Sequence, residues 1–352
     1  MNNNLNKHIP KETDLLILGS GAAGMSAALT GAALGYKVTL IEKTDKIGGK
    51  TARSAGSMWI PNTFHNKKGN DNFEKSLTYL KKAIGNRLDI ERTIKFLKIG
   101  PEMVDFFNKV SSVKLRAYDH HPDYLATLEG STLSGRVLEP LPFNASSLGE
   151  DFKNIRSPLP EFMLFSGLMV DRTDISHLMN LTKSLKSFFH SSKILFFYLC
   201  DLLKYGRGTR LVMGNALVGR LYESLINHKV NIIFSTEVAS LIYKGNKISE
   251  ALILSENKKF KVMVNAGVIL ATGGFSNYNE SIGHFNSLSI EISSMIFIIL
   301  GSLPFIAYIK FLNGDKKIFF LDTQIKSFIK IIIFSVILLS LYMLFYTSNF
   351  SF

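Results

Sequence analysis

Short apolar runs and stretches with helical spacing take turns along the chain, and the order in which they do so predicts its elements. Residues 15–18 form an apolar run of the length of a buried parallel strand. Gly19-Ser20-Gly21-Ala22-Ala23-Gly24 follows, and an Ala-rich stretch then keeps helical periodicity to Gly35, which stands where a helix favours a left-handed residue. Residues 37–41 read as a second strand, tipped by Glu42. Two amphipathic helices are expected over 73–84 and 90–109, broken near Gly100-Pro101, whereas 114–149, rich in Pro, Gly and Ser, reads as loop. Residues 184–204 read as an apolar, aromatic helix interrupted by His190 and Lys193. It is too polar to span a bilayer and is expected to cover one face of the domain or border an apolar substrate. A helix at 216–228 precedes strands at 231–234, 239–243, 251–255 and 259–264, the last three with the look of a β-meander. A final buried strand, 268–271, runs into Thr272-Gly273-Gly274.

The opening unit has a chemical meaning. In a strand–G-x-G-x-x-G–helix turn the first glycine permits the tight bend, the second lets backbone approach a pyrophosphate and the third lets helix and strand pack closely. The amides at the helix start face the phosphates. Glu42, at the end of the next strand, is placed to accept hydrogen bonds from ribose hydroxyls and to repel a 2′-phosphate. The predicted fold is therefore α/β: a Rossmann-like dinucleotide domain of three layers, with a parallel sheet plus a β-meander. Residues 46–62 hold small residues, hydroxyls and glycines in place of bulk, with Thr51 and Ser54 as hydrogen-bond donors. Such a loop suits backbone lying against a flat ring system, which favours FAD, extended across the domain, over NAD.

Composition narrows the function classes. Lys+Arg total 41 against 28 Asp+Glu, a net charge of +13. The basic residues are scattered and no nucleic-acid motif is present, so an anionic cofactor or the acidic face of a membrane is a better partner than DNA. The single cysteine, Cys200, excludes an internal disulfide and a cysteine-based metal site and suits a reducing compartment. His120, His121 and Asp123 do not have metal-ligand spacing, so no metal is expected. The polar start lacks the apolar segment of a signal peptide, and the folded part is expected in the cytoplasm.

With these pieces in order, the chain resembles the 3-ketosteroid Δ1-dehydrogenases, within the wider group of fumarate reductase/succinate dehydrogenase-type FAD-binding flavoproteins. The resemblance covers about 14–280 and rests on GSGAAGMSAAL, GGKTARSAGSMWIPN, PDY followed by GRVLEPLPFNASSLG, RGTRLVMGNALVGRL and VILATGGFSNYNE. It implies FAD held by Gly19, Gly21, Ala22, Ala23, Gly24, Glu42, Lys43, Gly49, Thr51, Ala52 and Ser54, with Ala55 and Gly56 near the flavin. Val238 would meet the adenine through its backbone, and Ala271, Thr272 and Gly273 would line the other side. Family members tend to carry another glycine where this chain has Ala55 and Ser57, which tightens the space there. The resemblance further implies an apolar, steroid-like substrate that loses a proton from C2 and a hydride from C1. A tyrosine acts as base, and a second tyrosine hydrogen-bonds to it. Tyr124 stands in the block of that assisting tyrosine, and an ordinary half-buried loop tyrosine is the alternative reading. The electron acceptor is not indicated.

After Glu280 the match to that family stops, where its members continue into a substrate domain bearing the base, so the expectation is a truncated member of doubtful activity. Residues 281–352 hold 11 of the 27 Phe, no Arg and 3 of the 26 Gly. The uncharged stretch 292–309 would be about 27 Å long as a helix, close to a bilayer core of about 30 Å, and 331–350 is likewise uncharged. The tail is read either as a pair of transmembrane-like helices anchoring the flavin domain, or as an out-of-frame or fused segment; a buried soluble core is the third reading. Five Lys against two Asp in the 310–330 connection run against the positive-inside tendency for an anchor whose flavin domain is cytoplasmic. The expected organisation is a disordered 1–13, a partial FAD domain over 14–280, and the apolar tail. Two other function classes stay open: a fumarate-reductase-type flavin oxidoreductase, and a non-catalytic, membrane-tethered flavin-binding module.

Overall fold

The computed structural model describes residues 9–66, 71–255 and 258–271, with Lys326 and Lys330. The chain divides into two compact units, Met1–Gly274 and Phe275–Phe352, and the elements that follow belong to the first. Strand β1 (Glu12–Leu18) feeds helix α1 (Ala22–Ala33) and strand β2 (Val38–Ile41). Strand β3 (Met58–Trp59) precedes helices α2 (Phe73–Ile84) and α3 (Ile90–Val110). Short strands β4 (Leu115–Ala117), β5 (Val137–Pro140) and β6 (Phe143–Asn144) lead to a hairpin of β7 (Met163–Leu164) and β8 (Leu168–Met169). Helices α4 (Arg172–Met179) and α5 (Leu185–Tyr205), strand β9 (Arg210–Leu211) and helix α6 (Met213–Asn227) come next. The chain then runs through β10 (Asn231–Ile233), β11 (Thr236–Lys244), β12 (Lys247–Ser255) and β13 (Lys258–Leu270).

The main sheet has the order β10-β2-β1-β13-β12-β11. Its first four strands are parallel, and β11 and β12 add an antiparallel meander. The period of two along β1 divides the core. Ile17 faces Met25, Ala28 and Leu29 of α1 and, beyond them, Ala216, Leu221 and Leu225 of α6. Leu16 points the other way, into a cluster with Ile41, Ile253, Val262 and Val264. Register then places the cofactor candidates. Leu18 lies beside Ile41 on one side and Leu270 on the other. The ends of β1, β2 and β13 are therefore level, and the Ala271 amide donates to the Leu18 carbonyl at 2.9 Å.

Three expectations are corrected. The strands read at 259–264 and 268–271 are one, since β13 runs unbroken, pairing antiparallel with β12 through its first half and parallel with β1 through its second. Pro101 does not break α3: it stands inside one 21-residue helix. A proline removes a single backbone donor, and the buried stripe of Leu97, Gly100, Val104 and Phe107 holds both halves of the helix down. The stretch 114–149 is not all loop, for β4 and β5 form a three-stranded sheet with β3. No helix among the described residues is long and apolar enough to cross a membrane. The transmembrane-like segments expected at 292–309 and 331–350 lie outside the described residues.

Candidate cofactor site

The turn after β1 is shaped by close approach. A Cβ on Gly24 would sit 1.8 Å from the Gly19 carbonyl oxygen and 3.2 Å from the Ala271 Cβ, so this contact between helix and turn admits only glycine. Gly21 is the opposite case. A Cβ there would meet nothing nearer than the Thr51 Oγ1 at 4.0 Å, leaving bare backbone under open space. Helix α1 starts at Gly21 with no capping side chain of its own and no acid in its first turn. Its leading amides are unpaired in any helix, and its dipole is positive at that end. The Ala22 amide donates to the Thr51 Oγ1 at 3.0 Å, and Ala23 is exposed. The amides beyond Ala22, left without a side-chain cap beside an open glycine, are a fit for a diphosphate.

Glu42 emerges from β2 with its carboxylate 8% exposed. One oxygen accepts from the Ser20 amide (2.9 Å) and hydroxyl (2.6 Å), the other from the Thr44 amide (2.9 Å) and hydroxyl (3.0 Å). The acid thus ties the glycine turn to the residues after β2, and Ser20 passes the link on, its carbonyl accepting from the Gly48 amide at 3.0 Å. Within this latch a ribose hydroxyl would be a further donor to the same carboxylate.

The small-residue loop is braced from a distant part of the chain. Ala52 is buried, and its carbonyl accepts from the Asn215 Nδ2 at 3.0 Å, which also donates to the Arg156 carbonyl at 2.8 Å. The Gly214 amide donates to the Ser54 carbonyl at 3.0 Å. A Cβ on Gly56 would come 2.6 Å from the Gly214 nitrogen, and one on Gly214 2.0 Å from the Thr51 carbonyl oxygen, so the two glycines let loop and helix α6 touch backbone to backbone. Thr51 and Ser54 hold the loop's own form: the Ser54 hydroxyl donates to the Thr51 carbonyl (2.9 Å) and accepts from the Gly56 amide (3.1 Å). Ala55 is exposed at the loop's outer side, and Gly49 lies 3.4 Å (from its would-be Cβ) over the Gly21 Cα.

These bonds and contacts bring Gly19, Gly21, Ala22, Gly24, Glu42, Gly49, Thr51, Ala52, Ser54, Gly56 and Ala271 together at the level ends of three parallel strands. Lys43 stands beside Glu42 but points to Glu237, 3.3 Å away at the surface. Val238 follows on β11, whose first residue, Thr236, donates its amide to the Glu42 carbonyl. Thr272 and Gly273 lie outside the described residues. Tyr124 is 97% exposed and, among the described residues, makes no hydrogen bond to the others. Its neighbour Asp123 is buried and engaged with Trp59, Thr132 and Arg136, a structural use.

Sequence reasoning missed Ser20, Gly214, Asn215 and Tyr118. Ser20 occupies a variable position of the glycine motif, and only the acid twenty-two residues on reveals its use. Tyr118 has its hydroxyl 3.1 Å from the Ser57 Oγ and the Arg172 guanidinium 3.9 Å over its ring. Burial pushes its phenol up from the ordinary value, so it stays protonated beside the loop. Removing the Thr51 hydroxyl tests the bracing. Thr51→Val leaves the Ala22 amide without an acceptor, and flavin affinity is expected to fall about five- to thirtyfold in a fluorescence titration.

A charged cluster lies behind Tyr118. Burial works against ionising Glu139, but the donors of Arg116 and Arg172 outweigh it and hold its carboxyl below the ordinary range. The same balance holds Asp174 low, with Arg210, the Asp171 amide and His190 as its donors. A carboxyl lowered in the folded state contributes stability that is present above its unfolded value and lost as the pH falls through the folded one. Acid unfolding is therefore expected below about pH 4. Arg210→Met should move its midpoint to higher pH in circular-dichroism titrations.

Known proteins share the sequence and fold of this region. The family model described as FAD binding domain matches residues 14–295, from the glycine turn through the loop to the end of β13 and beyond. The chain belongs to this FAD-binding domain family. Among curated relatives of this FAD-binding domain, the 4-oxocyclohex-2-ene-1-carboxylate 5-dehydrogenase of Sinomonas cyclohexanicum is 32% identical over 267 residues, 76% of this chain and 45% of that protein. The 3-oxosteroid 1-dehydrogenase of Mycobacterium tuberculosis is 32% identical over 278 residues, 77% of this chain and 48% of that one. Among solved structures, the 3-ketosteroid delta1-dehydrogenase of Sterolibacterium denitrificans, in complex with 1,4-androstadiene-3,17-dione, superposes with a TM-score of 0.70 at 30% identity. That match covers 78% of this chain and 50% of the other. The chain spans about half the length of the curated relatives it matches.

Proposed function

We propose that this chain is the FAD-holding part of a flavin-dependent dehydrogenase that introduces a double bond beside the carbonyl of a ring ketone, of the 3-ketosteroid Δ1 kind. The reading is carried by the start of α1 over the open Gly21, where Thr51 alone caps an amide, tied through Ser20 to a buried acid, in a chain about one-third identical to two such ketone dehydrogenases. FAD, when bound, supplies an acceptor for the hydride that leaves the substrate. The chain's residues hold it: backbone of Gly19, Gly21, Ala22, Ala23 and Gly24 at the diphosphate, Glu42 at the ribose, Lys43 and Val238 toward the adenosine. The loop from Gly49 through Thr51, Ala52, Ser54, Ala55 and Gly56 takes one side of the ring system, and Ala271, Thr272 and Gly273 the other. A ketone acidifies its neighbouring C–H, so a base must take that proton. Tyr124 would hydrogen-bond to such a base and lower the cost of ionising it.

The test is direct. The full chain is purified, its flavin absorbance recorded with and without added FAD, and oxidation of a 3-ketosteroid followed with an artificial electron acceptor. A folded protein that stays colourless in excess FAD overturns the proposal. A second reading, a flavin-binding module without turnover, is supported by the exposure of Tyr124, which leaves its phenol in solvent. It predicts bound FAD and no bleaching of the flavin by the steroid under anaerobic conditions.

A further inference from the structure

Helix α5 packs Ile194 and Leu195 against Leu168 and Val170, yet carries a second apolar face outward. Its inward side carries Ser187, Ser191 and Tyr198, all buried, and Asp201, which accepts from the Thr209 amide (2.7 Å) and hydroxyl (2.8 Å). Its outward side carries Leu185 (79% exposed), Phe189 (68%), Phe196, Leu199 and Leu203 (92%). At about 100° per residue these five fall within an arc of about 80°, a single stripe running the length of the helix. Lys186, Lys193 and Lys204 are exposed and line up along one border of it. The helix's one acid, Asp201, faces away. Apart from the half-buried Ser192, which lies within the stripe, the outer side is apolar, and among the described residues nothing covers it along about 31 Å.

We propose that α5 lies flat in the headgroup layer of an anionic membrane, with its Leu/Phe stripe among the upper acyl chains and its lysine row against lipid phosphates. The composition of the face selects this occupant. Phe and Leu on one side and lysines on its border, with no carboxylate between them, are the pattern of an interfacial helix. A protein groove would need acids matched to three lysines in a row, whereas an anionic bilayer supplies negative charge at every point along it. The chain's net charge of +13 works in the same direction. The helix does not span, because its serine face is fastened to the domain. This inference is independent of FAD and of the apolar segment after residue 280.

Cys200, the only cysteine, is exposed on α5 at the lysine side of the stripe, and it carries the probe. The full chain is labelled there with an environment-sensitive dye and mixed with vesicles of phosphatidylcholine, alone or with phosphatidylglycerol. The expected result is a blue shift with the anionic vesicles only, reversed by salt. Lys186→Glu, Lys193→Glu and Lys204→Glu together should weaken it at least about 100-fold, at roughly a factor of five per charge. Leu203→Glu should abolish the shift at unchanged melting temperature, since that side chain is almost wholly in solvent. Vesicle binding detected by sedimentation with an unshifted dye would overturn the proposal, because another part of the chain would then be the contact. A dye already shielded before vesicles are added would overturn it in favour of a covering protein segment. So would a dimer that Leu203→Glu splits and lipid leaves untouched.

Discussion

Gly24→Val is expected to leave the protein without flavin and, at ordinary temperature, largely unfolded. The first added carbon would stand 1.8 Å from the Gly19 carbonyl oxygen, and the two methyls beyond it have only β1 and Ala271 to enter. Relief requires α1 to lift from the sheet, breaking the contacts of Met25, Ala28 and Leu29 with the core. Overpacking of well-fitted interiors costs about 1–3 kcal/mol where side chains can move aside. Backbone cannot, so the cost here should reach a large part of a total stability of about 5–15 kcal/mol. Gly21→Ala is the informative partner. Its new methyl meets no protein atom within 4.0 Å, and its φ of −70° suits alanine. The melting temperature should stay within about 2 °C, while flavin affinity should fall at least about tenfold if a diphosphate lies on that backbone. Normal binding by Gly21→Ala would remove the diphosphate from this turn.

The second large effect belongs to Arg136, 1% exposed and the largest fully enclosed side chain among the described residues. Its Nη2 lies 2.6 Å from the Asp71 carboxylate and its Nη1 2.8 Å from that of Asp123. Its guanidinium also sits 5.6 Å from the centre of the Trp59 ring and 5.5 Å from that of Tyr79. Replacing it by methionine keeps the volume and strands two buried carboxylates, which costs about 3–5 kcal/mol. A drop in melting temperature of about 6–20 °C follows for a domain of this size. Trp59, the only tryptophan, donates its ring N–H to Asp123 at 2.7 Å, so its emission should report the disturbance before global unfolding. Asp71→Asn with Asp123→Asn in the Arg136→Met background should restore part of the loss, because neutral amides are cheaper to bury.

What could be read from the sequence was local. Strand, glycine turn, helix and acid-tipped strand lie within thirty consecutive residues, and every feature that defines them is a nearest-neighbour pattern. The longer-range parts left no comparable trace. Asn265-Ala266-Gly267 interrupts the apolar run of β13 and divides it on paper. The fold joins the halves because Met263 and Val264 find partners across the sheet in Glu12 and Thr13. The bracing of the small-residue loop by Gly214 and Asn215 crosses about 160 residues, and a Gly-Asn step at a helix start carries no mark of what it will touch. Strands as short as β4 and β5 fall below the length at which alternation is visible. At α5 the sequence shows an apolar helix that covers one face of the domain, and only burial shows which side is which: Ser187 and Ser191 face inward, while its phenylalanines are exposed.

The pairing of β1 with β13 sets a schedule for the nascent chain. Thr13 leaves the ribosome first and waits for Val264, its neighbour in the finished sheet. At about 5–20 residues per second that interval is about 13–50 s. For all of it, β1 has a naked edge and the glycine turn has no Ala271 behind it. A chaperone that attended this protein would have the opening strand to guard throughout that interval.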